Sequence, residues 1–171
     1  MEVYYSCCGK SICFGCVYSL DQTGNDGKCP FCNSDRGGKT NAERVEEVKK
    51  RVEANDPGAI CALGNSYYNG LLGLPQDQTK AMELYARAAD LGSSEAHYRL
   101  GHLNCNLDDP NNNGGDFKKA KFHYEAAAMA GHEVARNELG VIELKYKRNA
   151  ERSIKHLTIA ASAGNYLSCK P

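Results

Sequence analysis

The sequence predicts a mainly α protein, an α/α solenoid of helix hairpins preceded by a small α+β head that a metal staples together. Three observations predict it. Six of the nine cysteines fall within the first 32 residues, at metal-ligand spacing. The rest of the chain is rich in Ala and Gly, and one motif, Ala-Ala-x-x-Gly, returns three times. A polar stretch with paired glycines, Ser34-Asp35-Arg36-Gly37-Gly38-Lys39, separates the two regions.

The bulk properties fit two small domains within 171 residues. Lys and Arg total 21, as do Asp and Glu, so the net charge of zero gives no reason to expect nucleic acid or an anionic membrane. No apolar run approaches the roughly 18 residues that a membrane span requires. Met1-Glu2-Val3-Tyr4-Tyr5 has neither a basic start nor an apolar stretch of the secretory kind. Clustered cysteines without an export route point to a reducing compartment, the cytoplasm or nucleus by default, and to metal rather than disulfides.

The head carries Cys7-Cys8, Cys13-x-x-Cys16 and Cys29-Pro30-Phe31-Cys32. Each C-x-x-C knuckle puts two sulfurs on one tight turn, enough for two corners of a zinc tetrahedron. So short a segment buries too little apolar surface to fold alone, whereas structural zinc supplies an apparent ~10–16 kcal/mol. Val3-Tyr4-Tyr5-Ser6 reads as a short strand leading into the first thiols, and Val17-Tyr18-Ser19-Leu20 as the start of a helical turn. Asp21–Gly27 reads as a polar loop.

Ser6-Cys7-Cys8-Gly9-Lys10-Ser11-Ile12-Cys13-x-x-Cys16 with Cys29-Pro30-Phe31-Cys32 resembles the second part of a RING finger, in an all-cysteine form. The resemblance implies a cross-brace. Cys7, Cys8, Cys29 and Cys32 would hold one complete zinc site, and Cys13 with Cys16 half of a second. The pair that the RING pattern places before Cys7 has no counterpart in the five residues ahead of Ser6. The sequence therefore either starts inside its module or binds one zinc. A one-zinc ribbon from Cys13, Cys16, Cys29 and Cys32 also stays open. The resemblance further implies docking of a ubiquitin-conjugating enzyme on Val17, Leu20 and Pro30. Asn33 stands where active ligases often carry a basic residue, which counts against that activity.

After the polar linker, Thr40-x-x-Glu43 is a capping-box signature. It opens a helix whose Val45, Val48 and Val52 form a narrow apolar stripe that caps the first repeat. Lys49-Lys50-Arg51 is interrupted by Glu46, Glu47 and Glu53 and reads as solvated face.

The repeats follow. Ala88-Ala89-x-x-Gly92, Ala127-Ala128-x-x-Gly131 and Ala160-Ala161-x-x-Gly164 are spaced 39 and 33 residues apart. Leu63-Gly64, Leu100-Gly101 and Leu139-Gly140 form a second series, each four residues after Ala59, Ala96 or Ala135. Glycine within a helix costs about 1 kcal/mol and is tolerated where backbones must approach closely. Gly92, Gly131 and Gly164 suit the left-handed residue that ends a helix. One hairpin cannot bury its apolar face alone, so neighbours stack.

The pattern Ala-x-x-x-Leu-Gly-x-x-Tyr-x-x-Gly, then Lys-Ala-x-x-x-Tyr-x-x-Ala-Ala-x-x-Gly, is similar to the Sel-one-like repeat, a relative of the tetratricopeptide repeat. Asn104 and Glu143 replace the expected Tyr in the second and third units, so those outer turns are expected to be less regular. The chain thus divides into a head at 1–33, a linker at 34–41 and a connecting helix at 42–54. Repeats follow at 55–92, 93–131 and 132–164, with the start of a fourth repeat or a cap at 165–171. The polar linker is expected to couple head and repeats weakly.

The resemblance implies a protein-interaction scaffold. Tyr67, Tyr68, Tyr98 and Asn104 are the candidates to contact a protein or peptide on the inner wall, and Tyr67 and Tyr98 equally suit packing between hairpins. The five histidines have no catalytic partner at recognisable spacing and read as surface or interhelical polar groups. Cys61, Cys105 and Cys169 read as small apolar helix residues. Asp109-x-Asn111-x-Asn113-Gly114 matches the start of a calcium loop, but Ala120 occupies its twelfth position, so a solvated loop is expected. Two functions remain in view: an adaptor with a zinc-bearing second surface, and a RING-type ubiquitin ligase whose repeats choose the substrate.

Overall fold

In a computed structural model, residues 2–22, 27–35, 38–105, 116–145 and 149–162 are described. The calcium-like loop, Gly164, the start of a fourth repeat with Cys169, and part of the polar linker lie outside them. The chain forms two compact units, Met1–Gly92 and Ser93–Pro171.

The first unit opens with an antiparallel pair, β1 (Glu2–Tyr5) and β2 (Lys10–Cys13), in which Val3 faces Ile12 and Tyr5 faces Lys10. The turn between them closes at Gly9, whose φ of 70° favours glycine. The sequence reading had one strand here. Ser11-Ile12-Cys13 is too short to announce a second, and the Gly9 turn folds it back. Helix α1 (Phe14–Gln22) starts directly after Cys13, earlier than the expected turn following Cys16.

Helix α2 (Asn41–Glu53) begins with the expected capping box: the Glu43 backbone N–H donates to the Thr40 hydroxyl, and the Thr40 N–H to the Glu43 carboxylate. Val45 and Val48 are buried, and α2 packs on α3 (Pro57–Asn69). Asp56 caps α3 by accepting from the N–H groups of Gly58 and Ala59, with Pro57 in the first turn. Gly70, with φ 64°, ends the helix. Helix α4 (Gln78–Asp90) returns antiparallel, and Arg87 binds back to the Val52 carbonyl at 3.0 Å.

The second unit holds two hairpins, α5 (Ser94–Asn104) with α6 (Phe117–Met129), and α7 (Glu133–Lys145) with α8 (Ala150–Ser162). Its core joins Tyr124, Ala127 and Ala128 of α6 to Ala135, Leu139 and Ile142 of α7. Gly92 and Gly131 both sit at φ 87°, the left-handed helix ends expected of them. The two irregular units differ from each other. Helix α5 stops at Asn104, whereas α7 runs unbroken through Glu143 to Lys145. Glu143 is only 2% exposed there, and Lys121 of α6 donates to its Oε1 at 3.1 Å. A buried ion pair thus replaces the aromatic contact and keeps the helix regular.

Each hairpin is closed at a mid-helix glycine. A Cβ built on Gly64 would lie 2.8 Å from the Tyr85 ring, one on Gly101 2.7 Å from Tyr124, and one on Gly140 2.8 Å from Leu157. Tyr85 and Tyr124 are each 1% exposed. Burying such a ring is worth ~1.5–3 kcal/mol, more than the ~1 kcal/mol that a helical glycine costs.

Contrary to the weak coupling expected of the linker, the head is fastened to the helices. The Tyr4 hydroxyl donates to Asp56 Oδ2 at 2.7 Å, and the Ser6 hydroxyl to Glu47 Oε2 at 2.9 Å. Arg51 Nε donates to the Ser6 carbonyl, and Lys39 pairs with Glu47. Burial, then Asp56, holds the Tyr4 phenol far above its usual pKa, so it stays a donor. Gly58 lets the Tyr4 ring in, since a Cβ there would come within 2.9 Å of it.

Two measurements check this description. Gly101→Ala should destabilise the protein by ~1–3 kcal/mol in urea unfolding, because overpacking against Tyr124 outweighs the gain of ~1 kcal/mol that Ala brings to an open helix. Stabilisation would mean that the contact is not tight. Asp56→Ala should cost ~0.5–2 kcal/mol as a lost cap and also speed amide exchange in β1, since Tyr4 loses its acceptor. Unchanged β1 protection would show that the head is held some other way.

Candidate functional site

The one cluster of three or more metal-ligating groups among the described residues is formed by Cys7, Cys8, Cys29 and Cys32, whose sulfurs all lie within 4.8 Å of one another. Two backbone devices build it. The Ser6–Gly9 turn between β1 and β2 presents Cys7 and Cys8, with the Gly9 N–H donating to the Tyr5 carbonyl at 2.8 Å. The knuckle presents Cys29 and Cys32 and closes through the Asn33 N–H to the Cys29 carbonyl at 2.8 Å. Asn33 sits at φ 57°, a conformation Asn tolerates better than most residues, which gives it a local role. A bridge between Lys28 and Asp35 secures the flanks.

The sulfur spacing fits a metal. Cys8 Sγ is 3.7 Å from Cys29 Sγ, and Cys7 Sγ is 3.5 Å from Cys32 Sγ. Four thiolates at ~2.3 Å around a tetrahedral ion would stand ~3.8 Å apart, so those two separations are already near the required value and the other pairs, all within 4.8 Å, would close toward it. The four thiols differ in environment. Burial raises the Cys7 thiol to about 11, with Cys29 and Cys32 pushing the same way, and burial also raises Cys8. The Ser34 hydroxyl, 3.1 Å from Cys32 Sγ, and the Ser34 N–H pull Cys32 down to about 6. Metal binding would deprotonate all of them. Nothing in the knuckle pattern announced Ser34; its only signal is a hydroxyl two residues past the last thiol.

The remaining predicted residues fall elsewhere. Cys16 is exposed on α1 and outside the cluster, and the described structure does not extend to the Cys13 side chain. Among the described residues Cys29 and Cys32 meet Cys7 and Cys8. Val17 and Leu20 are half-buried and Pro30 is exposed. Beside them Tyr18 and Phe31 are 61% and 43% exposed, with Phe31 edge-on to Tyr5 and Lys10 over its ring. Cys61 and Cys105 are buried, as small apolar residues would be.

Of the four repeat residues singled out, two are held by packing. Tyr67 is buried on α3 with Lys80 Nζ 4.2 Å from its ring centre. Tyr98 stacks on His132, centroids 4.6 Å apart, and packs on the core of the second unit. His132 bonds Glu95 at 3.0 Å. Burial alone would raise the Glu95 carboxyl, but His132 and Arg99 outweigh it and hold it below its ordinary value. Tyr68 and Asn104 are half-buried, and Asn104 Nδ2 donates to the Leu100 carbonyl.

Comparison with known proteins follows the repeats. No curated protein matches the sequence. Among solved structures, a Sel1 repeat protein from Oxalobacter formigenes superposes with a TM-score of 0.69 at 21% identity, over 89% of this chain and 58% of its own. A protective antigen of uropathogenic Escherichia coli strains, displaying an SLR fold, gives 0.66 at 24% identity over 89% of this chain and 32% of its own. An immunity protein from Pseudomonas aeruginosa gives 0.54 at 21% identity over 98% and 60%. The chain thus spans a third to three-fifths of these proteins, and at such identities the likeness is one of fold. No helix among the described residues is long and apolar enough to cross a membrane. The Sel1 repeat model matches residues 57–93, 94–132 and 135–165, most of the chain, and with the glycine-closed hairpins this establishes that the chain belongs to the Sel1 repeat family.

Proposed function

We propose that this protein is an interaction scaffold: its Sel1 repeats hold a protein or peptide partner, and a zinc-stapled head supplies a second docking surface. The observation that carries this reading is the repeat array itself. Three Sel1 repeats match between residues 57 and 165, and repeats of this kind generally serve protein association. The half-buried first-helix residues Tyr68 and Asn104 contact the partner, while Tyr67 and Tyr98 shape the helices that carry them. Zinc in the head is supported by an all-cysteine donor set with near-tetrahedral spacing. Bound zinc would hold the two turns together, and the head contributes its exposed Phe31 and Tyr18 to recognition.

The grouping of Cys7 and Cys8 with Cys29 and Cys32 favours a second reading, a RING-type module that docks a ubiquitin-conjugating enzyme on Val17, Leu20 and Pro30. Ubiquitin discharge from a charged conjugating enzyme separates the two. Acceleration that Pro30→Ala abolishes would establish the ligase reading, and no acceleration by zinc-loaded protein leaves the scaffold.

Elemental analysis tests the head. Purified protein should hold one tight zinc. Cys7→Ser should lose it and Cys16→Ser should keep it; the reverse would reinstate the ribbon set of Cys13, Cys16, Cys29 and Cys32. Affinity capture from cells that express the protein tests the scaffold, with a folded Tyr68→Ala and Asn104→Ala double variant as the deciding sample. Recovery of the same partners by the double variant would remove these two residues from the proposal.

A further inference from the structure

Two of the five histidines, scattered in sequence, meet in the second unit. His97 of α5 and His123 of α6 are hydrogen-bonded through their Nδ1 atoms at 3.1 Å, the tautomer deciding which ring donates, with ring centroids 5.4 Å apart. The repeat register shows how unusual the pair is. His97 stands where the first hairpin has Ile60 and the third has Arg136, and His123 stands where they have Leu84 and His156. Ile60 is fully buried, so an apolar contact serves this position in the first hairpin. The second hairpin puts two half-exposed polar rings there instead, and the hydrogen bond between them offsets the partial desolvation of their nitrogens.

The arrangement suits an ion. Nitrogens 3.1 Å apart, each ~2.0–2.1 Å from a shared metal, subtend ~95–100° at it, between the square and tetrahedral values. The two rings come from antiparallel helices, so their separation is set by the hairpin rather than by a loop. Phe122 packs edge-on against His123 at 5.2 Å, which restrains that ring. A metal ion would take the place of the proton that the two Nδ1 atoms share. Both rings remain half-exposed, so water reaches the open coordination positions.

We propose that His97 and His123 form a second metal site, a two-imidazole clamp for a borderline divalent transition-metal ion, independent of the thiol cluster. Its ligands are the Nδ1 atoms, and water completes the shell. The ion ties α5 to α6 and so stabilises the second unit.

The full-length protein is first given zinc until the thiols are filled, which cobalt substitution verifies through thiolate absorption. Further zinc is then titrated while imidazole nitrogens are followed by NMR. The Nδ1 signals of His97 and His123 should move together at one added equivalent, with His102, His132 and His156 unmoved. In calorimetry, His97→Gln or His123→Gln should weaken this step by more than the ~10–100-fold that loss of a ligand's own hydrogen-bond partner costs, and His102→Gln should leave it intact. Movement of all five histidines alike would mean adventitious surface binding only. Motionless Nδ1 signals, or unchanged affinity in His97→Gln, would overturn the clamp. The NMR arm needs no substitution, so it decides even if a variant misfolds, and failure of the thiol site shows separately in the cobalt spectrum.

Discussion

The hairpins depend on one steric constraint: a first-helix backbone with no Cβ lies flat against a second-helix side chain. At Gly64 and Gly101 the partner is a tyrosine ring, and at Gly140 it is Leu157. Everything else in a hairpin is placed by that approach. Ala81, Ala88, Ala120 and Ala127 are wholly buried because helices this close leave room for nothing larger. The energetics favour the arrangement, since ring burial exceeds the helical cost of glycine by ~0.5–2 kcal/mol. The Tyr85 hydroxyl is also satisfied, donating to Asn65 at 2.7 Å, one residue past the glycine it covers.

A second junction, at Asp56, joins the head to the first hairpin. One carboxylate caps α3, accepts from Tyr4 and lies 3.6 Å from Arg51. Arg51 in turn reaches the Ser6 carbonyl, next to Cys7. Order at the thiol turn is therefore transmitted to α2 and the start of α3 through two side chains. A metal in the head would not be an isolated staple, because the residues flanking its ligands are the ones that grip the helices. Contact surfaces on the head and on the first hairpin are thus presented by one body.

Much of this was legible in the sequence because the relevant signals are local. Mid-helix glycines, the Thr40–Glu43 box and the αL glycines at 92 and 131 each encode a backbone geometry within a few residues. The thiol grouping was legible from spacing and resemblance. Strand β2 was not, because four residues carry no period and depend on the Gly9 turn. The Tyr4–Asp56 bond was not, because 52 residues separate its partners and both belong to common types. The linker looked decoupling because its composition is polar, but coupling here runs through side chains on either side of it.

The variation at one register position argues that the repeats have diverged beyond packing. Ile60 and Leu84, His97 and His123, and Arg136 and His156 occupy matching places in successive hairpins. In the third hairpin, Arg136 near His156 lowers the imidazole pKa after burial does, which disfavours a second cation at that spot. In the second hairpin the two imidazoles hydrogen-bond each other through Nδ1. The same fold thus presents an apolar pair, a hydrogen-bonded imidazole pair and an arginine beside an imidazole in turn. The surface offered by each hairpin is set by two residues that the repeat pattern leaves free to vary.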